Sequence, residues 1–255
     1  MASRKRKKIG KEIVVTFLLV AVVSVIAYYA TRSIFKPNFI RYPGFGIDMP
    51  VNYEIHGIDV SRHQDRIDWD EVREMEDSGI KLGFAFIKAT EGLQSIDPKF
   101  RRNWEEARLA QIPRGAYHFF NPGKSGVLQA IHFAEQVQFQ PGDLPPVLDI
   151  EQAGRMKIPD LQKEAAAFLE TIEKYYKVRP IIYTNVVFYN TYLGEKFDAY
   201  PLWVAHYLVK DKPRITRPWT FWQHNETGKV NGIRSSVDFN VFSGDSAAFR
   251  ALLIR

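Results

Sequence analysis

Cysteine is absent from all 255 residues. Disulfides, thiolate zinc sites and a lipid-modified cysteine anchor are therefore excluded, while the redox compartment stays open; an exported chain of a bacterial envelope fits. Phosphate-cradling glycine loops are missing as well: there is no G-x-G-x-x-G and no Walker loop, so nucleotide chemistry has no sequence support. Neither an internal repeat nor a low-complexity domain occurs. The length leaves room for an anchor and one domain of roughly 200 residues, large enough for a full core.

Positive charge is scarce in the body of the chain. The net charge is +6, yet residues 1–41 hold nine basic residues and one acid, Glu12, leaving −2 for residues 42–255. A nucleic-acid binder carries its positive charge on the folded domain, so that partner class is excluded.

Long apolar runs are confined to one place, Ile13 to Ala30, which is free of charge and ends near Tyr28-Tyr29. A helix of that length is close to the thickness of a bilayer core, and tyrosines suit its interface. More basic residues precede the run than follow it, which puts the N-terminus in the cytoplasm. A cleaved signal peptide is the alternative. It fits less well, because the core is long and Tyr28 stands where a small residue is wanted. The expected organisation is a basic cytoplasmic tail (1–12), a single-pass transmembrane signal anchor (13–30) and a linker (31–53) rich in proline and glycine. A catalytic domain (54–255) then follows on the periplasmic or extracellular side of the cytoplasmic membrane.

From Glu54 onward, apolar runs alternate with helical patterns. Strands are expected at Glu54–Val60, Leu82–Ala89, Gly115–Phe120, Val147–Glu151, Pro180–Asn185, Leu202–Ala205, Trp219–Gln223 and Val237–Asn240. Leu161, Ala165, Phe168, Ile172 and Tyr175 mark one helical face, opened by Pro159 and Asp160. Val127, Ile131, Ala134 and Val137 mark a second, and Phe100, Trp104 and Ala107 a third. Alternating strands and helices imply parallel βαβ units. The last three strands lack clear helices between them. The expected fold is α/β: an irregular, flattened barrel of about five βα units followed by three strands, preceded by one transmembrane helix.

Three stretches place acids at strand ends: Gly57-Ile58-Asp59-Val60-Ser61, Val147-Leu148-Asp149-Ile150-Glu151 and Ser236-Val237-Asp238-Phe239-Asn240. Side chains alternate along a strand, so Asp149 and Glu151 share a face. Paired carboxylates at the end of a buried strand mean either a salt-bridged network or a catalytic site. The C-terminal ends of barrel strands are where active sites are built. Barrel closure also brings the first and last strands together, so Asp59 and Asp238 can converge on the central pair.

Further motifs follow in order: Phe86-Ile87-Lys88-Ala89-Thr90-Glu91-Gly92, Gly115-Ala116-Tyr117-His118-Phe119, Pro180-Ile181-Ile182-Tyr183-Thr184, Leu202-Trp203-Val204-Ala205 and Trp222-Gln223. With the three acidic stretches, this series resembles glycoside hydrolase family 25, the lysozymes (N-acetylmuramidases), over about residues 54–245. The resemblance implies cleavage of the β-1,4 bond between N-acetylmuramic acid and N-acetylglucosamine in peptidoglycan glycan strands. It implies Glu151 as general acid/base with Asp149 beside it, and Asp59 and Asp238 completing an acidic floor. No cofactor or metal is called for, and a monomer is expected.

Glycoside cleavage needs one carboxyl protonated and another charged, which crowded acids achieve by raising one another's pKa. Glu151, with the longer reach, is the better proton donor. Asp149 could be a covalent nucleophile or could orient the substrate's own N-acetyl group; D-x-E on one strand resembles the substrate-assisted hydrolases, with net retention either way. Tyr117, Tyr183 and Trp203 are expected to line the cleft, Trp69 and Trp104 to pack, with Tyr207, Trp219 and Trp222 divided between cleft and core. Gln223 and Asn240 could bond sugar hydroxyls or satisfy backbone. Lys88 and Glu91 suggest an ion pair at the rim, with Glu91 beside the substrate. Two other classes compete: a metal-dependent polysaccharide deacetylase using Asp59, His63 and His118, and a catalytically silent wall-binding protein.

Overall fold

All eight apolar runs read from the sequence form strands of one closed sheet. The computed structural model describes residues 16–26, 38–209 and 211–255. It divides into two units, Met1–Asn38 and Phe39–Arg255.

In the first unit, residues 16–26 form a helix, α1. The rest of the span expected over 13–30 lies outside the described residues. The described part is about 16 Å long at 1.5 Å per residue, and no helix among the described residues is long and apolar enough to cross a membrane.

The second unit begins earlier than the composition suggested. Phe39–Tyr42 (β1) and Ile47–Pro50 (β2) pair as an antiparallel hairpin. Tyr42, Phe45, Ile47 and Met49 are buried in the main core. The linker expected over 31–53 is corrected from Phe39 to Pro50, while residues 31–37 lie outside the described residues: Pro43-Gly44 and Gly46 make the turn of a hairpin, and the alternation Ile47-Asp48-Met49 is that of a half-buried strand.

The barrel strands are His56–Val60 (β3), Ile80–Glu91 (β5), Arg114–Phe119 (β7), Val147–Asp149 (β8), Ile181–Asn185 (β9), Leu202–Ala205 (β10), Phe221–Gly228 (β11) and Val237–Phe242 (β12). Two short strands, Glu76–Asp77 (β4) and Ser95–Ile96 (β6), pair with the ends of β5. The order is β3-β12-β11-β10-β9-β8-β7-β5, and β5 pairs back to β3 to close the ring. β3, β5 and β7 to β11 run parallel, whereas β12 runs antiparallel to both β11 and β3. Five strands are followed by helical segments: Trp69–Glu74 (α2), Phe100–Leu109 (α3), Gly126–Gln136 (α4), Ile158–Tyr176 (α5) and the short Val186–Phe188 (α6). A last helix, Ser246–Leu252 (α7), ends the chain.

Local chemistry explains the helix starts. The Asp68 side chain accepts from the Glu71 N–H and the Ser125 hydroxyl from the Leu128 N–H, while Pro159 lies in the first turn of α5. On α5 the expected face is buried from Leu161 through Ile172, but Tyr175 is exposed. On α4 the buried face is Gly126, Gln129, Ala130, Phe133 and Ala134, with Val127 and Ile131 exposed. The expected α4 face holds at Ala134 and Val137 and is displaced by one position at Val127 and Ile131. Gly126 is what turns it, because a Cβ there would stand 1.9 Å from the Glu164 carbonyl oxygen on α5. The two helices meet at that glycine.

Inside the barrel, Phe84, Phe86, Trp203 and Phe221 fill the floor beneath the site. Gly57 and Gly115 flank them, and a Cβ at either would lie 2.6 or 2.5 Å from a phenyl ring. Glycine on these strands lets the phenylalanines occupy the centre.

Candidate active site

Every acid singled out in the sequence converges on one end of the barrel, the C-terminal end of its parallel strands. Antiparallel register sets Asp59 on β3 directly opposite Asp238 on β12. Asp149 closes β8 in parallel register with Phe119 on β7 and Tyr183 on β9. Beyond the strand, the Ile150 N–H donates to the Tyr183 carbonyl (3.0 Å) and Thr184 Oγ1 donates to the Ile150 carbonyl (2.6 Å). Ile150 is thereby held in the core cluster that includes Leu148 and Phe168, and Glu151 is hydrogen-bonded to Asp149.

The four carboxyls work as two hydrogen-bonded pairs. Asp59 is 6% exposed and its pKa is pushed up, first by burial and then by the charge of Asp238. Asp238, less buried, is raised to about 6, mainly by burial; accepting a hydrogen bond from Asp59 opposes that rise. Asp149 is 5% exposed and is likewise pushed up by burial and then by Glu151. Burial raises Glu151 too, against the hydrogen bond it accepts from Asp149 and the nearby charge of Lys88. In each pair burial and the neighbouring carboxyl push the deeper aspartic acid towards its neutral form, in which it can donate to the shallower partner.

Asp59 is held by a relay of neutral groups. Gln223 Nε2 (2.7 Å) and Asn240 Nδ2 (2.8 Å) both donate to its Oδ2. Gln223 Oε1 in turn accepts from the Tyr183 hydroxyl (2.7 Å) and from the Tyr207 hydroxyl. Trp203 Nε1 donates to Asn240 Oδ1 (2.7 Å). The environment of Asp149 differs: among the described residues no group donates to its buried Oδ1.

Several expected roles change. Trp203, expected to stack on sugar, is 1% exposed, stacked on Phe86 with ring centres 4.3 Å apart. It supports the floor and aims Asn240. Gln223, expected on sugar hydroxyls, is 2% exposed and binds Asp59. Tyr183 is also buried, with its hydroxyl committed to Gln223. Tyr117 and Glu91 keep partial exposure. Glu91 accepts from Lys88 Nζ at 2.7 Å, the rim ion pair read from the sequence. Lys88 also lies over the Phe119 ring and its charge lowers both Asp149 and Glu151, a second role the sequence did not signal. Trp69 and Trp104 are buried, as expected. Tyr207, which the sequence left divided between cleft and core, holds Gln223; its position two residues beyond the end of β10 was the available signal.

The metal reading lacks its ligands. His118 is fully buried, with one ring nitrogen on Thr90 Oγ1 (2.7 Å) and the other on Gln129 Oε1 (3.2 Å). Burial depresses its pKa to about 3. Among the described residues no group of three histidines and acids is arranged to hold a metal ion.

The chain is similar to known proteins. The model of glycosyl hydrolases family 25 matches residues 58–233. The protein YegX of Escherichia coli (strain K12) is 44% identical over 232 residues, covering 89% of this chain and 85% of its own. Lysozyme M1 of Streptomyces globisporus is 37% identical over 213 residues, 78% of this chain and 71% of its own. The structure of a family 25 glycosyl hydrolase from Bacillus anthracis superposes with a TM-score of 0.74 at 34% identity, covering 81% of this chain and 96% of that one.

Proposed function

The chain belongs to glycosyl hydrolases family 25, and from that premise we propose that it cleaves peptidoglycan at the β-1,4 bond from N-acetylmuramic acid to N-acetylglucosamine, with retention. The observation that carries the reading is the hydrogen-bonded pair of Asp149 and Glu151 at the end of β8, with Asp149 Oδ1 without a donor among the described residues.

One proton then serves two roles. It passes along the hydrogen bond from Asp149 to Glu151, which delivers it to the leaving glycosidic oxygen. Asp149 is left anionic as the acetamido oxygen of the muramic acid attacks the anomeric carbon. Its carboxylate accepts the acetamido N–H and stabilises the cyclic cation. Glu151, now a carboxylate, takes a proton from water, which opens the ring from the same face. Asp59 and Asp238 supply negative potential on the far side of the sugar, and Tyr117 with the Lys88–Glu91 pair forms the rim.

Residues 13–30 serve, in the same proposal, as an uncleaved signal anchor, and the enzyme acts as a monomer outside the cytoplasmic membrane. Alkaline extraction of membranes should leave the full-length chain behind; a soluble form starting near Thr31 overturns the anchor. The activity itself is tested by digesting purified peptidoglycan and identifying the new reducing ends by mass spectrometry. Muramic acid ends are expected, and N-acetylglucosamine ends overturn the specificity.

A further inference from the structure

A pocket of about 550 Å³ opens between the β1–β2 hairpin, the loop after β10 and the outer end of β11. Its hairpin wall, Phe39 to Asp48, lies outside the residues 58–233 that match the family model. The pocket adjoins the acidic site through two of its own lining residues. Tyr207 reaches from it to Gln223, and the charge of Glu226 raises the pKa of Asp238.

Unused polar capacity converges here. Arg41 is ion-paired with Asp48 at 3.5 Å, an exposed contact too long for a hydrogen bond, and its guanidinium donates no hydrogen bond among the described residues. Glu226 is exposed and has no ion-pair or hydrogen-bond partner among the described residues. At the back, His224 is 4% exposed and neither ring nitrogen has a partner among the described residues. Burial holds it neutral, with a pKa near 3, so it offers one donor and one acceptor without charge. Buried polar groups are normally satisfied, and an imidazole that lines a cavity with both nitrogens unpartnered among the described residues marks a site for a ligand.

The apolar half has the same character. Phe39 packs edge-on to Trp222 and His224, and Tyr207 and Val209 complete the wall. Leu208 is fully exposed with φ +56°, a backbone region costly for a branched residue. An apolar side chain held there at the mouth of a cavity is placed to cover an occupant.

The Arg41–Asp48 ion pair on one wall, whose guanidinium makes no hydrogen bond among the described residues, a carboxylate without a described partner on the other and an apolar lid between them suit a short zwitterionic chain better than a neutral sugar. Peptidoglycan bears such a chain as the branch on its muramic acid, a peptide with free carboxylates and a free amine. We propose that this pocket binds the peptide branch of the substrate, with a carboxylate on Arg41, the ammonium on Glu226 and the aliphatic stem under Leu208. The inference rests on the muramidase reading and extends it: the hairpin makes the enzyme prefer strands that still carry peptides.

Two measurements on the full-length protein test it. Titration with N-acetyl-alanyl-γ-glutamyl-lysine to millimolar concentration, followed by NMR, should shift the signals of Phe39, Arg41, Tyr207 and His224. Arg41→Ala or Glu226→Gln should weaken that binding about tenfold each, the loss of one charge-assisted contact. Absence of shifts, shifts confined to the acidic cleft, or equal binding by both variants overturns the proposal, whether or not glycan is cleaved. In the second measurement, KM is compared on peptide-bearing strands and on strands stripped of peptide by an amidase. Arg41→Ala should raise KM about tenfold on the first only, at unchanged kcat. An equal rise on both overturns the peptide assignment. Failure of the wild type to cleave either polymer strikes the muramidase reading instead, while the peptide titration still decides whether the pocket binds its ligand.

Discussion

Asp238 stands directly opposite Asp59 where the last barrel strand meets the first, and the pair shares a hydrogen bond. The partnership bridges nearly the whole domain in sequence, and only barrel closure creates it. Its consequence is electrostatic. Burial and the charge of Asp238 raise the pKa of Asp59 against the hydrogen bonds that Gln223 and Asn240 donate to it, while Asp238, less buried, is raised to about 6.

Stability therefore depends on pH through Asp238. Its folded pKa of about 6 exceeds the ordinary value of about 3.9 in an unfolded chain. The stability this proton contributes is full below about pH 4 and is lost as pH rises through about 6. Asp238→Asn should melt higher than the wild type at pH 8, by on the order of 1 kcal/mol after discounting for partial exposure, and should have no advantage at pH 4. The depressed histidines His56, His118 and His224 act oppositely below pH 6.5, but they are common to both proteins and cancel in the difference. Melting curves across this range check it; a difference independent of pH would sink the assignment.

Glu151→Gln keeps the shape and hydrogen-bonding capacity of the side chain but removes its titratable proton. Activity on peptidoglycan should fall at least about 10²-fold with the melting curve little changed. Turnover near that of the wild type would show that another group delivers the proton.

Gly126→Ala tests the packing of the barrel's outer layer. A Cβ 1.9 Å from the Glu164 carbonyl oxygen, with the Phe168 amide also within 3.1 Å, forces α4 and α5 apart. The change should cost at least about 2 kcal/mol in urea unfolding, although Ala is otherwise the better helix former. An unchanged midpoint would mean that the helices separate freely at this point.

The strands and the acids were legible because period-2 apolar runs and carboxylates at strand ends are local signals. Eight expected strands became the eight of the barrel, and Asp59, Asp149, Glu151 and Asp238 meet at one end of it. What escaped depends on three-dimensional closeness. Trp203 and Gln223 sit at the same strand ends as cleft residues, yet the phenylalanines that fill the centre cover one and Asp59 engages the other. Periodicity alone could not weigh Gly126 against Val127 on α4, since glycine carries no apolar signal. Composition hid the β1–β2 hairpin, because proline and glycine mark tight turns as readily as tethers.

The roles of Asp149 separate two retaining mechanisms. If the substrate's acetamido group is the nucleophile, Asp149 orients its N–H and stabilises the charge that develops there, using the Oδ1 that no protein donor occupies. Asp149→Asn would then keep a hydrogen-bonding partner, lose the charge and the proton that Asp149 shares with Glu151, and retain a small residual activity. A thiazoline analogue of the cyclised sugar should bind the wild type tightly, because it resembles the intermediate that the site is built to hold. Asp149→Asn should bind it at least about tenfold more weakly, for want of the anion. If Asp149 were itself the nucleophile, a 2-fluoro sugar with a good leaving group would leave a covalent adduct on it. Peptide mapping by mass spectrometry after that treatment should find Asp149 unmodified; an adduct there would replace substrate assistance with the covalent route and leave the muramidase reading standing.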